Sequence, residues 1–253
     1  MPKCLRLLVV SIALGISAWL PTLAKDTDVM RDGWTMEQNS QLMGDVSVIC
    51  SAKGVKVTSH KRALSMLCVA PFTEVVLFSE RTKQYHVSPL STFRCPVTKT
   101  LSVVNCGLLE ETPMIKKDDS TYQRLKVHCF ESTAQFTQGQ IKKYQAHELP
   151  GRSIRSVTAC STDDFKQDPH IGLVLALFFG LPKMPGVPVS LDFVDLGADK
   201  NHSLATNKIT KAKIADSSFT LPSTYKKISK HENLFVSPDT ADEMELMNLG
   251  GGH

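Results

Sequence analysis

The chain carries little that announces chemistry. Its 253 residues contain no Cys-x-x-Cys pair, no Gly-x-Ser-x-Gly elbow and no glycine run except Gly250-Gly251-Gly252. Dithiol exchange, serine acyl transfer and phosphate cradling each need one of those patterns. None of the eight histidines stands in a His-Glu-x-x-His pattern, so the zincin arrangement is absent too. The adjacent carboxylates Asp118-Asp119 and Asp163-Asp164 lack the spaced oxygen ligands and glycine of a calcium loop and read as solvated turns. No catalytic residue, metal ligand or cofactor is therefore expected. Net charge is small as well. The formal net charge is +4, which argues against a nucleic-acid surface.

Long apolar runs are also missing. A membrane-spanning helix needs about 20 apolar residues. Leu7 to Leu20 supplies 14 before Pro21. Lys3 and Arg6 precede that run, and Thr22 and Ala24 are small enough for a peptidase site. Residues 1–24 therefore read as a secretory signal peptide, giving an exported protein of the periplasm or extracellular space. Cys4 lies ahead of the apolar run and no cysteine lies near Ala24, which excludes lipoprotein processing. Removing residues 1–24 leaves 27 basic against 25 acidic residues and a net charge of +2.

Six cysteines follow the signal: Cys50, Cys68, Cys95, Cys106, Cys129 and Cys160. An even count in an exported chain points first to disulfides, with buried free thiols and a metal site as alternatives. The nearest two, Cys95 and Cys106, are eleven apart, which is wide for metal ligands. The pairing is open.

Residues 25–44 read as a polar N-terminal segment in which Trp34 and Met36 begin either a strand or a covering stretch. From Asp45 apolar and polar residues alternate in short runs between polar turns: 45–51, 55–60, 64–68, 74–79 and 84–87. That is an antiparallel meander. A short helix follows Ser88-Pro89, and residues 97–110 fit strand or helix equally. Strands resume at 114–116, 122–130, 140–148 and 153–160, then at 187–193 and 204–214. The fold class is mainly β, a curved antiparallel sheet or incomplete β-barrel. One β domain spans 45–236, and 237–253 form a flexible tail.

One helix interrupts the strands. Asp168 is a good N-cap, Pro169 a good first residue, Gly180 a C-terminal stop, and Pro182 prevents continuation. Ile171 to Phe179 is apolar apart from Gly172, so the helix must be buried on every side. His170 at its start reads as a capping or surface residue. Two roles compete for the apolar side chains: filling the core, or lining a ligand cavity.

These elements resemble the bacterial lipoprotein-carrier family (Lol-type half-barrels) and related envelope lipid-binding proteins. The resemblance is carried by Val75-Val76-Leu77-Phe78 with Tyr85 to Leu90, by Gly186-Val187-Pro188-Val189, and by Lys208-Ile209-Thr210 followed by Ser218 to Pro222 and Tyr225. It follows element order over residues 45–228. It implies a half-barrel enclosing the apolar helix, non-catalytic, with a lipid or lipoprotein acyl chain in its concavity. The residues expected at that ligand are Leu173, Leu177, Phe178 and Phe179. An envelope protein partner and transient membrane-surface contact are further expectations. Lys208, Lys211 and Lys213, with Lys226, Lys227 and Lys230, would either meet anionic headgroups or form a solvated strand face that discourages edge pairing. The alternatives are a structural or protein-interaction module with a filled core, and thirdly a secreted hydrolase with a nonlocal site.

Overall fold

The computed structural model describes residues 28–98, 113–133, 142, 154–195 and 199–234. The signal segment, the tail, most of 97–110, Cys106 and the strand expected over 140–148 (Lys142 apart) lie outside the described residues.

Two meanders meet in one twelve-stranded open sheet. The first comprises β1 (Met30–Ser40), β2 (Gly44–Ser51), β3 (Gly54–Ser59), β4 (Leu64–Val69), β5 (Glu74–Ser79) and β6 (Gln84–Pro89). The second comprises β7 (Ile115–Tyr122), β8 (Leu125–Thr133), β9 (Ile154–Thr162), β10 (Val187–Asp195) and β11 (Lys200–Ala215). Helix α1 (Pro169–Phe179) sits between β9 and β10 in sequence. The spatial order is β12-β6-β5-β4-β3-β2-β1-β11-β10-β9-β8-β7, where β12 is Lys226–Lys227. All pairs are antiparallel except β12 on β6.

Strand β1 joins the halves, with Met36 opposite Val48 on β2 and Ile209 on β11. The sequence left this stretch between strand and covering segment because its inward residues are mixed. Met36, Gln38 and Ser40 are all buried at period two, but two of the three are polar. Gly33 permits a close approach there, since a Cβ would lie 2.3 Å from the Cys50 carbonyl oxygen.

One sheet face carries Met36, Val48, Val57, Met66, Leu77 and Leu191, in one apolar cluster with α1. On β4 the residue between Met66 and Cys68 is Leu67, which alternation turns to the opposite face. There it clusters with Phe78, Ile214, Phe219 and Tyr225. The chain after β11 thus covers that second face before Lys226 and Ile228 donate backbone hydrogen bonds to Lys83 and Tyr85 on the β6 edge. Covering on both sides explains the nearly continuous burial of β4.

At the other end the sheet curls. Tyr122, at the end of β7, lies four strand positions from β11. In a flat sheet that separation is roughly 19 Å, at about 4.8 Å per strand. Yet the Tyr122 hydroxyl donates to the Thr206 carbonyl at 2.9 Å and accepts from the Thr206 N–H at 3.2 Å. Thr206 Oγ1 donates to the Val189 carbonyl at 2.6 Å, and Gln38 Nε2 donates to Thr206 Oγ1 at 3.0 Å and to the Pro188 carbonyl at 3.2 Å. This polar joint ties β1, β10, β11 and the β7–β8 hairpin together. The hairpin turns at Gln123-Arg124, so residues 122–124 are not the start of a strand, and Asp118-Asp119 lie within β7 and not in a turn.

Tyr122→Phe keeps the ring and removes both hydroxyl bonds. With the buried Thr206 N–H left unpartnered, stability should fall by about 1–3 kcal/mol. At this chain length each kcal/mol moves Tm by roughly 2–4 °C. Thermal melts of the two proteins check this, and an unchanged Tm would remove the joint from the account.

Candidate functional site

The site is built around α1, whose ends are fixed locally. The Asp168 carboxylate accepts from the His170 N–H at 2.9 Å, Pro169 opens the helix, and Gly180 closes it in the left-handed conformation at φ 66°. Gly172 places the helix. A Cβ there would lie 2.1 Å from the Gly186 carbonyl oxygen, so the helix backbone rests on the loop leading into β10. Gly186 itself has φ +81°, a conformation that favours glycine.

Ile171, Val174, Leu175, Ala176, Leu177, Phe178 and Phe179 are buried; Leu173 is half-buried. Two clefts open beside that less covered side. The first, about 490 Å³, runs between the 163–169 turn, Gly172, Leu173 and Ala176 of the helix, and the 183–187 loop. The second, about 570 Å³, runs between Phe72, Leu90 and Arg94 on one wall and His170, Leu173 and Leu177 on the other. Leu173 and Lys183 belong to both.

Of the four residues expected at a ligand, the structure brings Leu173 and Leu177 to a cleft. It keeps Phe178 and Phe179 away from both clefts. They are 0% and 2% exposed, pack edge to face with ring centroids 5.2 Å apart, and line neither cleft. Their side of the helix faces the core, which one periodic apolar run cannot reveal. Phe72, Leu90, Arg94 and Lys183 were missed. The available signal was Phe72, a large apolar residue in the turn after Pro71.

The cap itself is Asp168, and His170 lies at the surface. Its ring Nδ1 is 2.6 Å from Asp168 Oδ1, and the ring stacks on Phe72 with centroids 5.8 Å apart. A second polar group gathers at the β7–β8 hairpin. Asp119 Oδ1 is 2.7 Å from His128 Nδ1, and Asp163 Oδ2 is 3.3 Å from His128 Nε2. The His128 hydrogen bond, aided by Lys126 and Lys116, holds the Asp119 carboxyl down at about 2. Among the described residues no group of three His, Cys, Asp or Glu is arranged to hold a metal ion.

Lys208 lies 3.9 Å from Glu37, Lys213 lies 2.9 Å from Asp32, and Lys211 sits 5.1 Å above the Trp34 ring. Strand β10 pairs with β11 only between Lys200 and Ala205, so the lysine-bearing half of β11 is laddered to β1 on its other side.

Cys129 and Cys160 stand opposite each other on β8 and β9 and form a disulfide. Cys50 and Cys68 are free thiols, correcting the expectation of disulfides throughout. Both flank Val55, one on each neighbouring strand. Two strand spacings separate their Cα atoms by about 10 Å, beyond the roughly 7 Å a disulfide spans. Burial pushes the Cys50 thiol up to about 12 and the Cys68 thiol up to about 11. Cys95 is buried.

No family model matches the chain, and no curated protein matches it. Among solved structures the chain is similar to an uncharacterized conserved protein from Thermus thermophilus. The identity is 7% and the TM-score 0.36, over 78% of this chain and 90% of that one. A likeness of that size assigns neither fold nor activity.

Cys50 and Cys68 should resist iodoacetamide in the native protein at pH 8, because the thiolate is the reacting form and burial suppresses it. Both should alkylate within minutes in denaturant. Peptide mass mapping reads each site, and rapid native labelling at either would contradict their placement in the core.

Proposed function

We propose that the protein is an exported envelope protein that binds a lipid, an acyl chain or another apolar ligand in the concavity of a half-barrel, without catalysing a reaction. The observation that carries this reading is the pair of clefts meeting at Leu173, the half-buried leucine of an otherwise buried helix. A ligand chain laid there removes apolar surface from water, at about 25 cal/mol per Å². Each cleft falls within the roughly 300–1,000 Å³ usual for small-molecule sites. The curled sheet and the apolar helix on one face agree with a half-barrel. The Cys129–Cys160 disulfide suits an oxidising compartment. No helix among the described residues is long and apolar enough to cross a membrane.

A second reading, an interaction module with a filled core, is favoured by one specific observation. Phe178 and Phe179 pack against each other and are buried in the core.

Native mass spectrometry on protein purified from an oxidising compartment separates the two. The binding reading expects an adduct of lipid mass, lost in Leu173→Asp with the fold retained by circular dichroism. A bare mass that stays bare when lipids are offered would favour the filled-core module.

A further inference from the structure

The two clefts beside α1 are neighbours on the helix itself. Gly172 and Ala176 line the first, and Leu173 and Leu177 line the second. Residues four apart form one row on a helix surface, and the next residue starts the adjoining row. The Gly172–Ala176 row is low, since glycine has no side chain and alanine only a methyl. The Leu173–Leu177 row stands higher. Leu173 lines both clefts and is the ridge between them.

The outer walls are apolar too. Phe165 and Met184 line the first cleft with the helix, and Phe72 and Leu90 line the second. Each wall is held from outside the helix row it faces. Phe165 packs on Trp34 with ring centroids 4.4 Å apart, and Phe72 stacks on His170 at 5.8 Å. The volumes, about 490 and 570 Å³, are close, so neither cleft is an offshoot of the other. The exposed Lys183 also lines both. The site is therefore two apolar furrows on either side of one leucine, sharing a solvent-exposed lysine.

We infer that the ligand is a two-chain lipid that straddles Leu173, with one acyl chain in each cleft and the junction of the chains beside Lys183. This rests on the ligand-binding reading above and adds the number of chains. A single chain fills one furrow and leaves the other to water. When two chains are tied together, seating the second becomes intramolecular, which raises affinity by about a hundredfold or more.

The test uses the delipidated protein and three probes below their micelle concentrations: dioctanoyl phosphatidylcholine, octanoyl lysophosphatidylcholine and hexadecanoyl lysophosphatidylcholine. The head group is constant, and the first and last carry equal numbers of acyl carbons. Native mass spectrometry counts the copies bound, and displacement of a fluorescent reporter gives affinities. The protein should take one dioctanoyl lipid or two octanoyl lysolipids. The dioctanoyl lipid should bind about a hundredfold more tightly than the octanoyl lysolipid, and more tightly than the hexadecanoyl one. Gln167→Trp and Thr73→Trp each place a ring in one cleft, at positions that are not buried. Each should cut the octanoyl lysolipid from two copies to one and remove most of the two-chain advantage. Thermal melts confirm folding, and the probe comparison on the unsubstituted protein stands whatever the variants do. Hexadecanoyl lysolipid binding as tightly as the dioctanoyl lipid, or two dioctanoyl lipids on one chain, overturns the two-chain inference and leaves apolar binding standing. A full two-chain advantage in either folded variant does the same. No binding of any probe to the unsubstituted protein overturns both.

Discussion

A helix with apolar side chains all round must be covered on all its sides, and most of this structure follows from meeting that need. Nine residues of it, Ile171 to Phe179, offer no polar face to water. Each large apolar side chain that is covered contributes roughly 1.5–3 kcal/mol relative to exposure. The inward residues of β2 to β5 and of β10, with Met36 of β1, are largely apolar and form one cluster with it. The helix cannot drift, because Gly172 lies against the Gly186 carbonyl and both ends are stopped by Asp168 and Gly180. Only the Leu173 side escapes full cover, and the two clefts lie there.

The joint at Thr206 shows how the far end of the sheet bends. Strand β10 stops pairing with β11 at Ala205, which frees the next backbone groups. A buried N–H must find a partner, and the Tyr122 hydroxyl supplies it from four strands away. Gln38 occupies an inward position for the same reason, donating to Thr206 and to the Pro188 carbonyl. On the opposite face, the segment carrying Phe219 and Tyr225 covers Leu67 and Phe78. The Tyr225 hydroxyl donates to the Glu80 carboxylate, which that bond holds below the usual carboxylate range.

What was legible in the sequence is what local physics decides. The hairpin of β5 and β6 around residues 80–83, and the helix from its Asp168 and Gly180 caps, stand where the residues put them. Strand β1 was unclear because two of its inward residues, Gln38 and Ser40, are polar, and Gln38 serves a long-range hydrogen-bond joint that sequence spacing does not encode. The extent of β7 was hidden because residues 115–121 are exposed, an edge strand whose Asp118-Asp119 read as a turn. The residues expected at a ligand divided the same way. Leu173 and Leu177 lie on the helix stripe at a cleft, whereas Phe178 and Phe179 point into the core. The facing wall, Phe72 to Arg94, comes from about a hundred residues earlier in the chain, so no local pattern joins it to the helix. Cysteine count suggested bridges, but only tertiary placement separates the Cys129–Cys160 pair from the thiols beside Val55.

The central claim is that the Leu173 side of α1 is open to a ligand while the rest of the helix is core. The most direct measurement is the maleimide labelling rate of Leu173→Cys in the native protein, with and without a long-chain lipid. The buried Cys50 and Cys68 should contribute little background. The account predicts ready labelling that slows several-fold when lipid is present. A site that does not label, or that labels equally with and without lipid, would contradict it.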